Sequence, residues 1–167
     1  MKKASAVLLV LFMVLLIGCG KKAEISPIVN GISFTAEIKY NGKNYSVDTV
    51  TSKEGEMSAV VKKPESLAGM KISFDGETVK TEYLGLCYEQ NINDVKQNNA
   101  ALVLFDVLSA VNNGENAVKS DSGNYTLKKK KNGIEYELTV SPTGLPVSLV
   151  FPDNDITVEF LNTTVLE

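Results

Sequence analysis

The sequence predicts a mainly β domain of the α+β class, in which a curved antiparallel sheet, open or half-closed as a barrel, is covered by one long helix. After residue 30, most of the chain alternates apolar and polar residues in short runs, which is typical of strands with one buried face. Short turn sequences separate the runs, so successive strands are expected to pair as antiparallel neighbours. One apolar segment, residues 93–113, breaks the alternation and predicts the helix.

The first half of the domain contains the clearest strands. Every second residue of Ile32–Tyr40 is apolar, and Asn41-Gly42, a pair that strongly favours a tight hairpin, follows directly. Further strand-like segments continue to residue 88, interrupted by Pro64–Gly69 and by an Asp75-Gly76 turn. Their apolar positions are Tyr45, Val47, Met57, Ala59, Val61, Met70, Ile72, Phe74, Val79, Tyr83, Leu84, Leu86 and Tyr88.

The predicted helix has both a start signal and a stop signal. Asp94 and Gln97 have the spacing of a capping box, and Asn112–Gly114 is a suitable end. Between residues 100 and 111 only Asp106 and Ser109 are polar, so the helix is apolar round most of its circumference. We expect it to cover the apolar face of the sheet and to leave a partly filled space beneath.

Strands resume after residue 124 and continue to residue 160. Lys128–Lys131 is interpreted as a solvated hairpin end, with contact to anionic lipid as the alternative, and precedes an Asn132-Gly133 turn. Ser141–Pro146 is rich in turn-forming residues. Apolar positions alternate around these turns, at Tyr125, Leu127, Ile134, Tyr136, Leu138, Val140, Val147, Leu149, Phe151, Ile156, Val158 and Phe160. No internal repeat is visible, so residues 31–167 are predicted to form a single domain.

The N-terminus has the pattern of a bacterial lipoprotein signal peptide. Two lysines precede an apolar run, Ala4–Ile17, which is shorter than the ~20 residues that span a membrane. The run ends in Leu16-Ile17-Gly18-Cys19, which resembles a lipobox. The resemblance implies that residues 1–18 are removed as a signal peptide and that Cys19 carries diacylglycerol and an acyl chain such as palmitate. The alternative is an uncleaved anchor with an incidental cysteine.

Residues 19–30 are predicted to be the lipidated N-terminus and a short polar tether. Fully extended at ~3.5 Å per residue, the eleven residues after Cys19 reach under about 40 Å. We therefore expect the domain to lie on the outer face of a bacterial membrane, to which its lipid anchor binds.

The composition argues against catalysis, metal binding and nucleic-acid binding. The chain has no His and no Arg, and removal of the signal peptide lowers its formal charge from −3 to −5. Asp153-Asn154-Asp155 begins like a calcium loop, but Val158 and Thr164 occupy the positions that require Gly and Glu. Cys87 is interpreted as a buried small apolar side chain. We expect no enzyme, no metal and no cofactor beyond the covalent lipid on Cys19.

The order of these features resembles a known family. A lipobox, a short tether, a meander containing Pro64–Met70, a mid-chain helix and a late Thr143–Pro146 connector follow one another. In this the chain resembles the lipoprotein carrier and receptor (LolA/LolB-like) superfamily of bacterial envelopes, over residues 30–165 and through short motifs. The resemblance implies an unclosed antiparallel barrel with a helical lid and an apolar cavity for acyl chains.

We expect the domain to bind a lipid, an acyl chain or a lipopeptide in an apolar cavity between sheet and helix, chiefly through buried apolar area. The candidate cavity residues are Phe34, Ile38, Val47, Met57, Ile72, Leu104 and Leu108. The alternative is a non-catalytic protein-interaction or sensor module at the cell envelope, whose protein partner is unknown. An enzyme is the third possibility, but no nucleophile–base pair or metal set can be named for it.

Overall fold

The computed structural model describes residues 25–94, 117–131 and 134–167. These residues form eleven strands and three short 3₁₀ helices, the latter at Glu65–Leu67, Ile92–Asp94 and Pro152–Asn154. The strands are β1 (Ile32–Tyr40), β2 (Lys43–Thr51), β3 (Met57–Lys63), β4 (Lys71–Phe74), β5 (Thr78–Tyr83), β6 (Leu86–Asn91), β7 (Val118–Lys119), β8 (Tyr125–Lys131), β9 (Ile134–Val140), β10 (Pro146–Phe151) and β11 (Ile156–Val165).

All eleven strands belong to one antiparallel sheet, in the order β6-β5-β4-β3-β2-β1-β11-β10-β9-β8-β7. Most neighbours in the sheet are also neighbours along the chain, as expected for hairpins. The exception is the pairing of β1 with β11, which runs from Ile32 opposite Val165 to Tyr40 opposite Ile156. This pairing joins the two halves of the meander and leaves β6 and β7 as the two edges, so the sheet is not closed into a barrel.

The predicted α+β class is wrong for the described part of the chain, which is all-β and contains no helix of seven or more residues. Of the segment predicted as a covering helix, Asn93 and Asp94 are described, and both lie in a 3₁₀ helix; residues 95–113 lie outside the described residues. The backbone is fixed locally: the Ile92 N–H donates to the Glu77 carbonyl at 2.9 Å, and the Asn93 N–H donates to Asn91 Oδ1 at 3.0 Å. The Asn91 side chain thereby caps the start of this 3₁₀ helix.

One face of the sheet, here called the inner face, carries the apolar side chains. In β1 it presents Ile32, Phe34, Ala36 and Ile38, all buried, whereas the residues between them are half-buried or exposed. The Phe34 ring packs edge-to-face on that of Phe160, with centroids 5.1 Å apart. Burial of each large apolar side chain contributes roughly 1.5–3 kcal/mol, so this face is the main source of stability.

Burial on the inner face decreases towards β6. The strand register aligns one residue from each of six strands, from β1 outwards to the edge: Phe34, Thr49, Ala59, Ile72, Thr81 and Tyr88. Phe34 is 4% exposed, whereas Tyr88 is 63% exposed. The apolar face therefore opens to solvent at one edge of the sheet.

Candidate functional site

Five of the predicted cavity residues lie on the inner face. Phe34, Ile38, Met57 and Ile72 are buried in its apolar cluster, and Val47 is half-buried and packs against that cluster. The two remaining predicted cavity residues, Leu104 and Leu108, lie outside the described residues, as does Cys19, the predicted lipidation residue.

The inner face is packed unevenly. At the centre of β9 to β11 its side chains are closed off from solvent: Leu138 and Leu149 are 0% exposed and Val158 is 1% exposed. At the margins of this region Tyr125, Ile134 and Leu145 are half-buried. On the side of β2 to β6, several apolar side chains that contact the same cluster are only half-buried, namely Tyr45, Val47, Met70, Phe74 and Ile92. Partly covered apolar surface that adjoins a packed core is a suitable place for an apolar ligand.

One charged residue, Lys129, lies on the inner face, a position that was not predicted from the sequence. Lys129 follows buried Leu127 by two residues and stands opposite buried Tyr136, so it lies on the inner face, where it is half-buried. Its neighbours Lys128 and Lys130 point to the outer face and form ion pairs across the hairpin with Glu137 and Glu135. Because successive side chains of a strand point to opposite faces, the sequence alone could have placed Lys129 on a different face from Lys128 and Lys130.

The segment that leads into β1 is attached to one end of the sheet. The Ile28 N–H donates to the Gly144 carbonyl at 2.7 Å, and Thr51 Oγ1 donates to the Val29 carbonyl at 3.0 Å. Pro27 and Val29 are buried. Residues 25–31, the N-terminal segment, therefore dock beside the β9–β10 turn, although residues up to 30 were predicted to be tether.

Substitution of Gly144 tests this docking. Gly144 has φ +85°, and an added Cβ would lie 2.6 Å from the Ser26 carbonyl oxygen. We expect Gly144→Ala to lower the free energy of unfolding by about 1–3 kcal/mol and to expose the N-terminal segment to proteases. The matched control is Gly123→Ala, which has φ +86° but no atom within 4 Å of the added Cβ. Equal thermal melts and equal cleavage of the two variants would contradict the docking contact.

The outer face carries a groove of about 460 Å³ near the β2–β3 and β4–β5 turns, lined by both polar and apolar side chains. Along the strand register it is lined by Val50, Ser58, Ser73, Lys80 and Glu89. Lys80 lies 3.3 Å from the Glu82 carboxylate, and this contact raises the pKa of the lysine. The charges that flank the groove thus interact with each other in the described structure.

A carboxylate at the rim of this groove is engaged in the turn itself. Asp75 Oδ1 accepts hydrogen bonds from the N–H groups of Thr78 at 2.7 Å and Glu77 at 3.0 Å. These bonds stabilise the ionised carboxylate and lower the pKa of Asp75. The β4–β5 turn at this rim of the groove is therefore held by the Asp75 side chain.

Cys87 is exposed, so its assignment as a buried apolar side chain is wrong. The physical reason is that β6 is an edge strand and Cys87 points to its outer face, opposite Glu82. Among the described residues no group of three His, Cys, Asp or Glu side chains is placed to hold a metal ion. None of the helices in the described ranges is long and apolar enough to span a membrane.

Comparisons with known proteins bear on the fold. No family model and no curated protein matches the chain. It is similar to an uncharacterised conserved protein from Thermus thermophilus, with a TM-score of 0.56 and 12% identity over 84% of this chain and 81% of that one. A LolA superfamily protein from Nitrosomonas europaea aligns with a TM-score of 0.41 and 8% identity over 81% of this chain and 85% of that one. PNGF-II aligns with a TM-score of 0.40 and 11% identity over 81% of this chain but 28% of its own length. The Thermus similarity supports the fold alone, and a LolA superfamily protein is a structural neighbour at low sequence identity.

Proposed function

We propose that the protein is a bacterial envelope lipoprotein, anchored through lipid on Cys19, that holds a lipid, an acyl chain or a lipopeptide against the inner face of its sheet. The observation that carries the proposal is the combination of a lipobox with a one-sided apolar sheet whose inner face opens towards β6. The proposal includes no catalytic step.

The acyl chain is assigned to the side of the inner face formed by β2 to β5. Val47 and Phe74 are half-buried there beside buried Met57 and Ile72, so a ligand would remove apolar surface from water without displacing the tight packing around Leu149. Affinity would arise from this area, at about 25 cal/mol per Å².

The attachment of the domain would place it close to a source of ligand. The docked N-terminal segment begins at Ile25, six residues after Cys19, a span of at most ~21 Å when extended. The anchored domain would therefore stay close to the membrane, which is a source of acyl chains.

A matched pair of valines tests the binding face. Val47 and Val60 are both half-buried and lie on neighbouring strands, but Val47 points to the inner face and Val60 to the outer face between Asp48 and Lys71. We expect Val47→Asn to weaken the binding of a fluorescent fatty acid roughly tenfold, since about one buried apolar side chain is lost from the contact. Val60→Asn should leave the affinity unchanged.

Circular dichroism at the assay temperature establishes that both valine variants are folded. Equal affinities of the two variants, or wild-type protein that binds no fatty acid, would overturn lipid binding on the inner face.

A non-catalytic protein-interaction module at the cell envelope is the second candidate function. It is favoured by a specific observation, the exposure of apolar side chains along the β6 edge, where Leu86 is 76% exposed and Tyr88 is 63% exposed. A protein that binds no fatty acid but retains a stoichiometric partner through this edge would support the second candidate over the first.

A further inference from the structure

The edge strand β6 has backbone groups that face away from the sheet. Leu84 and Gly85, with φ +51° and +80°, form a two-residue turn that pairs Tyr83 with Leu86. In such a hairpin the pair that flanks the turn is hydrogen-bonded, and hydrogen-bonded and non-hydrogen-bonded pairs alternate along the ladder. The N–H and C=O groups of Cys87 and Glu89 therefore point to the open edge, where no described strand pairs with them.

Among its own residues, β6 lacks the sequence features that usually prevent edge-to-edge pairing. It contains no Pro, no Lys and no break in its register with β5. Its one charged residue, Glu89, lies 3.8 Å from the Lys80 ammonium group on β5. The opposite edge, β7, is only two residues long and offers little backbone for pairing.

We propose that β6 pairs with β6 of a second copy of this chain, antiparallel and across a two-fold axis at Tyr88. In this register Tyr88 faces Tyr88 of the second copy on the inner face, and Leu86 lies diagonally beside it. Cys87 stands opposite Glu89 of the second copy, so the two Glu89 carboxylates do not face each other. In this register β6 is complementary to a second β6, and the pairing covers the exposed side chains of Leu86 and Tyr88.

This register predicts where the two Cys87 thiols lie. They occupy diagonal positions on the same face of the paired strands, about 7–8 Å apart, within reach of a short bismaleimide. We expect this reagent to convert the full-length protein in bacterial membranes into a covalent dimer. The Cys87→Ser variant should give no dimer, which distinguishes Cys87 from any unlipidated Cys19.

Glu89→Pro tests the backbone pairing without removing a bond between β5 and β6. Proline removes the Glu89 N–H, which points to the open edge, and is tolerated on edge strands. We expect Glu89→Pro to reduce the cross-linked fraction roughly tenfold, because one hydrogen bond is lost in each copy. The matched control, Glu89→Ala, also loses the contact with Lys80 but keeps the N–H, and should cross-link like the wild type.

Sedimentation of the detergent-extracted proteins gives an independent measurement, with a dimer expected for the wild type and for Glu89→Ala and a monomer for Glu89→Pro. A wild-type protein that neither cross-links through Cys87 nor sediments as a dimer would overturn the proposal, as would Glu89→Pro that dimerises normally. The inference does not depend on lipid binding.

Discussion

Replacement of Cys19 with Ala is expected to abolish incorporation of a labelled fatty acid and to release the protein from the membrane fraction. In the proposed lipobox the thiol would carry diacylglycerol, whose two acyl chains would contribute about 0.8 kcal/mol for each methylene buried in the bilayer. If the predicted signal peptide is not removed from the variant, its apolar run, Ala4–Ile17, is still shorter than the ~20 residues that span a bilayer, so release is still expected.

Metabolic labelling with an alkyne fatty acid, followed by membrane fractionation, measures both effects of the Cys19 substitution. Cys87→Ser is the matched control, since it removes the other cysteine of the chain and should keep both label and retention. Undiminished labelling of Cys19→Ala would show that the lipobox interpretation is wrong.

Truncation of Leu149 is expected to produce the largest loss of folding stability. Leu149 is 0% exposed on β10 and stands between Leu138 on β9 and Val158 on β11, both of which are also closed off from solvent. Leu→Ala at such a site removes buried apolar surface and leaves a cavity, which together cost about 2–5 kcal/mol.

Denaturant unfolding of the Leu149→Ala protein gives this free energy directly. The control is Leu161→Ala, because Leu161 is 43% exposed on β11 and its truncation should change stability by no more than about 0.5 kcal/mol. Equal unfolding midpoints for the two variants would contradict the assignment of the core to the inner face.

The alternation of side chains predicted much of the local structure. Ile32–Tyr40 is strand β1 with the predicted buried face, and the Asn41-Gly42 turn joins it to β2. The pairing of β1 with β11 had no local signal, because the two strands are separated by more than a hundred residues and their contact depends on the topology of the whole sheet.

The position of a residue within the sheet explains where the predictions for Cys87 and Lys129 differ from the structure. An apolar neighbourhood suggested that Cys87 is buried, but whether a strand lies at an edge cannot be read from its own residues. Lys128–Lys131 was interpreted as a solvated hairpin end; Lys128 and Lys130 are exposed, whereas the two-residue period places Lys129 on the inner face, where it is half-buried. Of the predicted cavity residues, the apolar face contains those on β1 to β4, and their role in ligand binding remains a prediction.

A photoreactive fatty acid would test the central claim most directly, by mapping the contact between an acyl chain and the detergent-extracted protein. We expect cross-links that an excess of unlabelled fatty acid suppresses, in peptides from β2 to β4 and at the inner-face positions Val47, Met57 and Ile72. Labelling confined to outer-face positions such as Val60, or labelling that the unlabelled fatty acid does not reduce, would contradict a lipid-binding inner face.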